Sequence, residues 1–214
     1  MLDTNFDRPP GDAGNPLSWP FPVRIERVPG AFARAVVSGE FTAVGEFIAA
    51  GMRLIDSGVT AIITTCGFLV RHQDELARAL PVPVETSTLI HYPTLKRSVG
   101  AGGRVAILTI DASAIDDGIR AAASIDREAL VFSLPPESHF VSAILDASSP
   151  LDLPRATAEW AGLAVDVKRR HPDVAMWLFE CANMPPYTDT IHRATGVPVF
   201  DALAMGRILF ARHH

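Results

Sequence analysis

The chain has 214 residues, 48% of them hydrophobic and 20% charged, with a formal net charge of −5 at pH 7. That is the composition of a soluble globular protein, long enough for one large domain or two lobes of roughly 100 residues each. No basic cluster is present to mark a nucleic-acid footprint, and no apolar run approaches the roughly 18–20 residues of a membrane span.

The N-terminus has no apolar signal core, so a cytoplasmic location with reduced thiols is expected. Leu2 and Asp3 read as the end of a first strand. Pro9, Pro10, Pro16, Pro20 and Pro22 then alternate with Gly11, Asp12, Gly14 and Asn15. This is an ordered irregular loop, too long for a simple connection: either a surface arm or a loop that covers an active site. Residues 23–28 read as a strand. Over 41–57, Val44, Phe47, Ile48, Met52 and Ile55 recur at helical spacing, and Gly58 ends the helix. A strand over 59–64 and a helix over 68–80, stopped by Pro81, come next, then a strand over 82–85 and a helix over 88–99.

The second half repeats the alternation, with strands over 104–109, 129–133, 174–179 and 197–200 and helices over 115–123, 138–146, 153–171, 187–195 and 202–210. Such alternation predicts an α/β fold with parallel sheets, right-handed crossovers and ligand binding at the carboxyl ends of the strands. The expected architecture is two pseudo-symmetric lobes, each a small parallel sheet flanked by helices, with the active site in the cleft between them. Residues 1–95 with 200–214 would form the first lobe and 96–199 the second.

An internal repeat sharpens this. The only two cysteines, Cys66 and Cys181, each close a short β-rich run, and each is followed 16 residues later by Val-Pro-Val, at Val82-Pro83-Val84 and Val197-Pro198-Val199. A thiol between a strand end and a helix start faces N–H groups that favour thiolate. Two such thiols on opposite faces of one carbon can act as base and acid, with no metal or organic cofactor. The competing reading is two inert buried thiols. Zinc or thioredoxin-like chemistry lacks a Cys-x-x-Cys pattern, and a disulfide is disfavoured in a reducing compartment.

On these features the whole chain resembles the aspartate/glutamate/hydantoin racemase superfamily, which also holds arylmalonate decarboxylase and maleate isomerase. The opening, from Asp3-Thr4 through Arg8-Pro9-Pro10-Gly11-Asp12 to Trp19-Pro20-Phe21-Pro22, is similar to a racemase-like subgroup. The resemblance implies that Cys66 and Cys181 are the acid/base pair. Asp3 and Thr4 would line the site from the first strand, with Thr65, Gly67 and Phe68 flanking the first thiol, Thr109 ending the first strand of the second lobe, and Ala182, Asn183 and Met184 following the second thiol. Amino-acid racemases of the superfamily usually have Asn-Thr after the first Cys and Thr-His after the second. Gly67-Phe68 and Ala182-Asn183 stand there instead, which points away from aspartate or glutamate.

The expected activity is therefore a cofactor-independent racemase or epimerase acting on a small carboxylate, amide or hydantoin-like compound. A decarboxylase of the same fold and a non-catalytic small-acid-binding protein are the alternatives. A small-molecule substrate and a homo-oligomer, dimer or higher, complete the expectation. Among the other candidates, Glu180 either points away from the site, by strand alternation, or faces it and raises the Cys181 pKa. His72, His91, His139 and His192 read as packing or surface residues, His192 being the strongest outsider. Thr64, Thr86, Ser87 and Thr88 are either carboxylate donors or helix caps. Trp19 and Tyr187 either wall a pocket or cover core.

Overall fold

The computed structural model describes residues 1–4, 6–146 and 150–213; His214 of the terminal His pair lies outside them. Two parallel sheets organise the chain. The smaller pairs β1 (Ile62–Ile63) with β2 (Val84–Glu85). The larger has the order β4-β3-β5-β6, formed by β3 (Arg104–Leu108), β4 (Leu130–Phe132), β5 (Val174–Phe179) and β6 (Val199–Phe200), all parallel. β3 and β5 are buried almost throughout, as a sheet covered on both faces requires. The sheets are therefore unequal, two strands against four, and the expected pseudo-symmetry is imperfect.

Helices cover both sheets. α1 (Ala33–Val37), α2 (Val44–Asp56), α3 (Gln73–Ala79) and α4 (Tyr92–Ser98) come from the first half. α5 (Asp117–Ala122), α6 (His139–Leu145), α7 (Leu153–Arg170), α8 (Thr188–Thr195) and α9 (Ala202–His213) come from the second. The α7 start follows from sequence: Asp152 accepts the Arg155 N–H, and Pro154 occupies the first turn, where its missing N–H costs nothing. α7 buries Ala156, Trp160, Ala164 and Val167, and Phe140 of α6 meets Trp160 edge-on at 5.2 Å. Gly196, at φ 67°, ends α8 in the left-handed region.

Several expected elements differ. Residues 23–28 are extended but form no assigned strand. They pair briefly with the first residues, Met1 N donating to Glu26 O and Val28 N to Met1 O. The helix expected over 68–80 is a 3₁₀ turn, Gly67–His72, followed by α3. That expected over 88–99 is likewise a 3₁₀ turn, Thr88–His91, then α4. α1 has no counterpart among the sequence expectations.

Two features place the site. Strand order reverses between β3 and β5, so the crevice beyond their carboxyl ends is the topological switch point of the larger sheet. Thr109 follows β3 there, and Glu180 and Cys181 follow β5. The smaller sheet delivers Cys66 to the same place, because Thr88 Oγ1 donates to Phe179 O at 2.7 Å and holds the segment after β2 on the end of β5.

Candidate active site

Cys66 and Cys181 are both buried, 7% and 6% exposed, and close enough that ionising Cys66 pushes up the Cys181 pKa. Cys66 precedes the 3₁₀ turn Gly67–His72, and the Phe68 and Leu69 N–H groups point at its sulfur. The Arg8 guanidinium also favours its thiolate. Burial and the nearby Glu180 outweigh these and push the thiol up to about 12. The turn's N–H groups thus favour the Cys66 thiolate as expected, but burial and Glu180 outweigh them, and Gly67 and Phe68 N–H also serve Glu180.

The Glu180 carboxylate accepts Thr109 Oγ1 at 2.9 Å and the N–H groups of Ile110, Gly67 and Phe68. It is 2% exposed, and burial lifts its pKa to about 7 despite the four donors. Glu180 therefore faces the site. Alternation failed as a guide because β5 ends at Phe179, and both faces of the chain beyond it are covered. Gly67 is required by this arrangement: a Cβ there would lie 2.6 Å from the Glu180 carbonyl oxygen and closer still to Oε1.

Cys181 sits in a different network. Its thiol donates to Asn183 Oδ1 at 3.3 Å, while Asn183 Nδ2 donates to Asp12 Oδ2 at 2.7 Å. Asp12 fixes the amide orientation, so the side-chain oxygen faces the sulfur and favours S–H, while the Asn183 backbone N–H favours the thiolate. Burial, Glu180, Cys66 and Asp12 all raise the Cys181 pKa, burial most. Asp12 is paired with Arg8 at 2.9 Å, with side chains 1% and 9% exposed, and Arg8 Nη2 donates to Thr4 Oγ1 at 3.0 Å.

The Pro-rich loop therefore reaches the turn that carries Cys181. It is pinned there by Ala13 N to Ala182 O at 3.1 Å, by the Asp12–Asn183 bond, and by Trp19, which packs on Gly206 of α9. Among the described residues, two buried hydroxyls have no hydrogen-bond partner: Thr65 Oγ1, beside Cys66, and the Tyr187 phenol, which feels the charges of Cys181 and Asp12. Such orphans are costly unless something else satisfies them. The groove of about 570 Å³ between residues 19–26 and 57–63 reaches Thr65 but is lined by neither cysteine, so it is set apart from the thiols.

Of the other sequence candidates, Gly67, Phe68, Thr109, Ala182, Asn183 and Met184 surround the thiols as described, with Met184 N donating to Cys181 O. Asp3 is not part of the network: its carboxylate accepts the Gly30 N–H and meets Arg27. Thr64, Thr86, Ser87 and Thr88 hold backbone or Gln73, and His91, His139 and His192 hold Glu85, the Asp152 N–H and the Val197 carbonyl. Sequence reasoning did not single out Arg8 or Asp12, whose i,i+4 spacing was the one available signal.

No family model matches the chain. Among curated proteins it is 30% identical over 209 residues to a dimethylsulfoniopropionate lyase of Durusdinium sp. clade D, covering 94% of this chain and 69% of the relative. It is 28% identical to dimethylsulfoniopropionate lyase 7 of Emiliania huxleyi, covering 95% of this chain but 63% of that protein. The chain thus spans roughly two thirds of the length of these relatives. Among solved structures, a variant of arylmalonate decarboxylase in a sulfate-associated form superposes with a TM-score of 0.57 at 19% identity, over 82% of this chain and 77% of the other. An aspartate racemase homologue from Pyrococcus horikoshii gives 0.57 at 14% identity, over 91% and 85%. At these identities the structures show the fold alone, and it is the fold of the aspartate/glutamate/hydantoin racemase superfamily.

Proposed function

The chain belongs to the dimethylsulfoniopropionate lyase family, and on that premise we propose that it is a cofactor-independent enzyme in which Cys66 removes the proton α to a substrate carboxylate and a β-sulfonium leaves. With dimethylsulfoniopropionate, the Cys66 thiolate takes the α-proton. The C–H electron pair becomes the C=C bond, and the Cβ–S pair departs on sulfur. The products are dimethyl sulfide, acrylate and one proton, which Cys66 returns to solvent. The substrate carboxylate would be held by the remaining N–H groups of Arg8 and by the Tyr187 hydroxyl, which gives a role to an otherwise orphaned donor. The cationic sulfonium beside Cys66 would favour its thiolate, offsetting the effect of Glu180.

The observation that carries elimination over racemisation is the Cys181–Asn183–Asp12 chain. Racemisation needs both thiols to exchange roles as acid and base, and at Cys181 burial, Glu180 and an amide oxygen fixed by Asp12 favour S–H against the single Asn183 backbone N–H that favours thiolate. Elimination asks for one base only. The test is headspace dimethyl sulfide from dimethylsulfoniopropionate, measured for the wild type, Cys66→Ser and Cys181→Ser. Release by the wild type and by Cys181→Ser, with none from Cys66→Ser, is expected. Equal loss in both single variants, together with two-sided α-hydrogen exchange in D₂O on a chiral carboxylic acid, would restore the racemase reading.

A further inference from the structure

Glu180 is a buried carboxylate whose charge acts on both thiols, and proton transfer as described does not use it. Its position is unusual in chain terms. It is adjacent to Cys181, yet its side chain holds the backbone of Gly67 and Phe68, the two residues after Cys66. It also takes the Thr109 hydroxyl and the Ile110 N–H at the end of β3. One carboxylate therefore ties together three strand ends: β3, β5 and the one that carries Cys66. We propose that Glu180 is the positioning residue of the thiol pair, clamping the Cys66 turn to the Cys181 turn and placing a carboxylate against the turn that carries Cys66. This rests on the reading of Cys66 as the base.

Three observations support the clamp. First, no looser anchor is available: the clamped N–H groups belong to a turn with no side-chain cap, since Cys66 makes none. Second, Gly67 leaves no room between the turn and Glu180, so the contact is backbone on side chain with nothing to slide. Third, the cradle of three N–H groups and one hydroxyl would bind any carboxylate, and Glu180 fills it. A substrate carboxylate is thereby denied this position and directed to Arg8 and Tyr187 on the other side.

The charge effect follows from the groups that face Cys66. Glu180 raises its pKa, and Arg8 lowers it. Across the site, Cys181 is raised by Glu180, Cys66 and Asp12, and Tyr187 by Cys181, Asp12 and Glu159. The terminal amine of Met1 also feels Cys66. After burial, Glu180 is the largest influence on both thiols.

The test reads the thiol directly, so it does not depend on the substrate. In a Cys181→Ser background, where Cys66 is the only thiol, iodoacetamide labelling is followed against pH with Glu180 present and with Glu180→Gln. The amide keeps an acceptor for the turn but removes the charge. The labelling midpoint should fall by about one unit or more, a roughly tenfold gain in thiolate fraction at a given pH. With Cys181 intact, Glu180→Ala should lower kcat for dimethyl sulfide release by about 100-fold or more, with KM changed far less, as expected when reacting groups are misplaced rather than substrate binding lost. Superimposable labelling profiles would overturn the electrostatic half, and wild-type kcat in Glu180→Ala the positioning half. If Glu180→Ala does not fold, the Glu180→Gln labelling arm alone decides. If the wild type releases no dimethyl sulfide, the lyase reading fails, while the labelling arm still decides the role of Glu180.

Discussion

Replacing Glu180 by Gln should change how the stability of the protein depends on pH, with a sign that the structure fixes. Burial raises the carboxyl from 4.5 to about 7 in the folded state. Between those values the folded protein binds more protons than the unfolded chain, so stability falls as pH rises through this window and levels off above about 7. A difference of about 2.5 units corresponds to about 3 kcal/mol. Glutamine does not titrate, so its hydrogen-bonding differences from Glu enter equally at both ends of the window and cancel. The assay is urea unfolding of wild type and Glu180→Gln at pH 5 and pH 8. The wild type should lose about 2 kcal/mol more than the variant between the two, because at pH 5 the unfolded carboxyl is already largely ionised, with unchanged m-values. Because the comparison is a difference of differences, titrating histidines and surface carboxylates common to both proteins drop out. A variant that loses as much stability as the wild type would show that Glu180 is already ionised at pH 5, its four donors outweighing burial. A variant that loses more would reverse the assignment.

Four other outcomes follow from the same geometry. Gly67→Ala should cost about 1–3 kcal/mol and lower the melting temperature, because the new methyl meets the Glu180 carbonyl and carboxylate and the backbone there has nowhere to move. Tyr187→Phe should leave stability unchanged or raise it by about 1 kcal/mol, since it removes a buried unpartnered hydroxyl, while turnover falls; a destabilised variant would show that the hydroxyl has a partner in the folded protein. Arg8→Lys should raise KM for dimethylsulfoniopropionate more than it lowers kcat, because a point charge replaces a fork held by Asp12 and Thr4. Asn183→Asp should slow alkylation of Cys181 further, since the added negative charge opposes a second thiolate.

How much of this was readable in sequence varies with the range of the forces involved. The strand Val174–Phe179 and the helix Leu153–Arg170 were legible almost to the residue, because each is long, periodic and bounded by a cap or turn residue. The turn Gly67–His72 was not, because a 3₁₀ helix shows no 3.6-residue stripe and is fixed here by Glu180, 113 positions away in sequence, and not by its own caps. Residues 23–28 show strand-like composition, but a ladder needs a partner, and Met1 supplies only two hydrogen bonds. The thiols were found through the repeat. Arg8 and Asp12 were not placed at the site and Tyr187 only as one of two readings, because what brings them together is convergence across the fold: an arginine in a Pro-rich loop is ordinary until Asp12 and Thr4 hold it where its charge reaches Cys66.

The departures from the amino-acid racemase pattern can now be seen as one coupled change. A side chain at position 67 and a carboxylate at position 180 cannot coexist, because the Cβ would occupy the space of Glu180. Once Glu180 fills the cradle formed by Gly67, Phe68, Thr109 and Ile110, the site has spent its best carboxylate donors on itself. What remains for a ligand is one guanidinium from a loop and two unpartnered hydroxyls, an inventory that suits a single carboxylate and offers an ammonium group no dedicated acceptor. Asp12 is already committed to Arg8 and Asn183, and Glu180 to Thr109 and the backbone. A zwitterionic α-amino acid would therefore leave its ammonium buried and unpaired, a cost of several kcal/mol. A sulfonium has no N–H to satisfy and needs only an apolar, electron-rich wall, such as Phe68 and the sulfur of Cys66 provide. On the lyase reading, the burial and the Glu180 charge that make Cys66 reluctant to ionise would be opposed by the positive charge of the substrate.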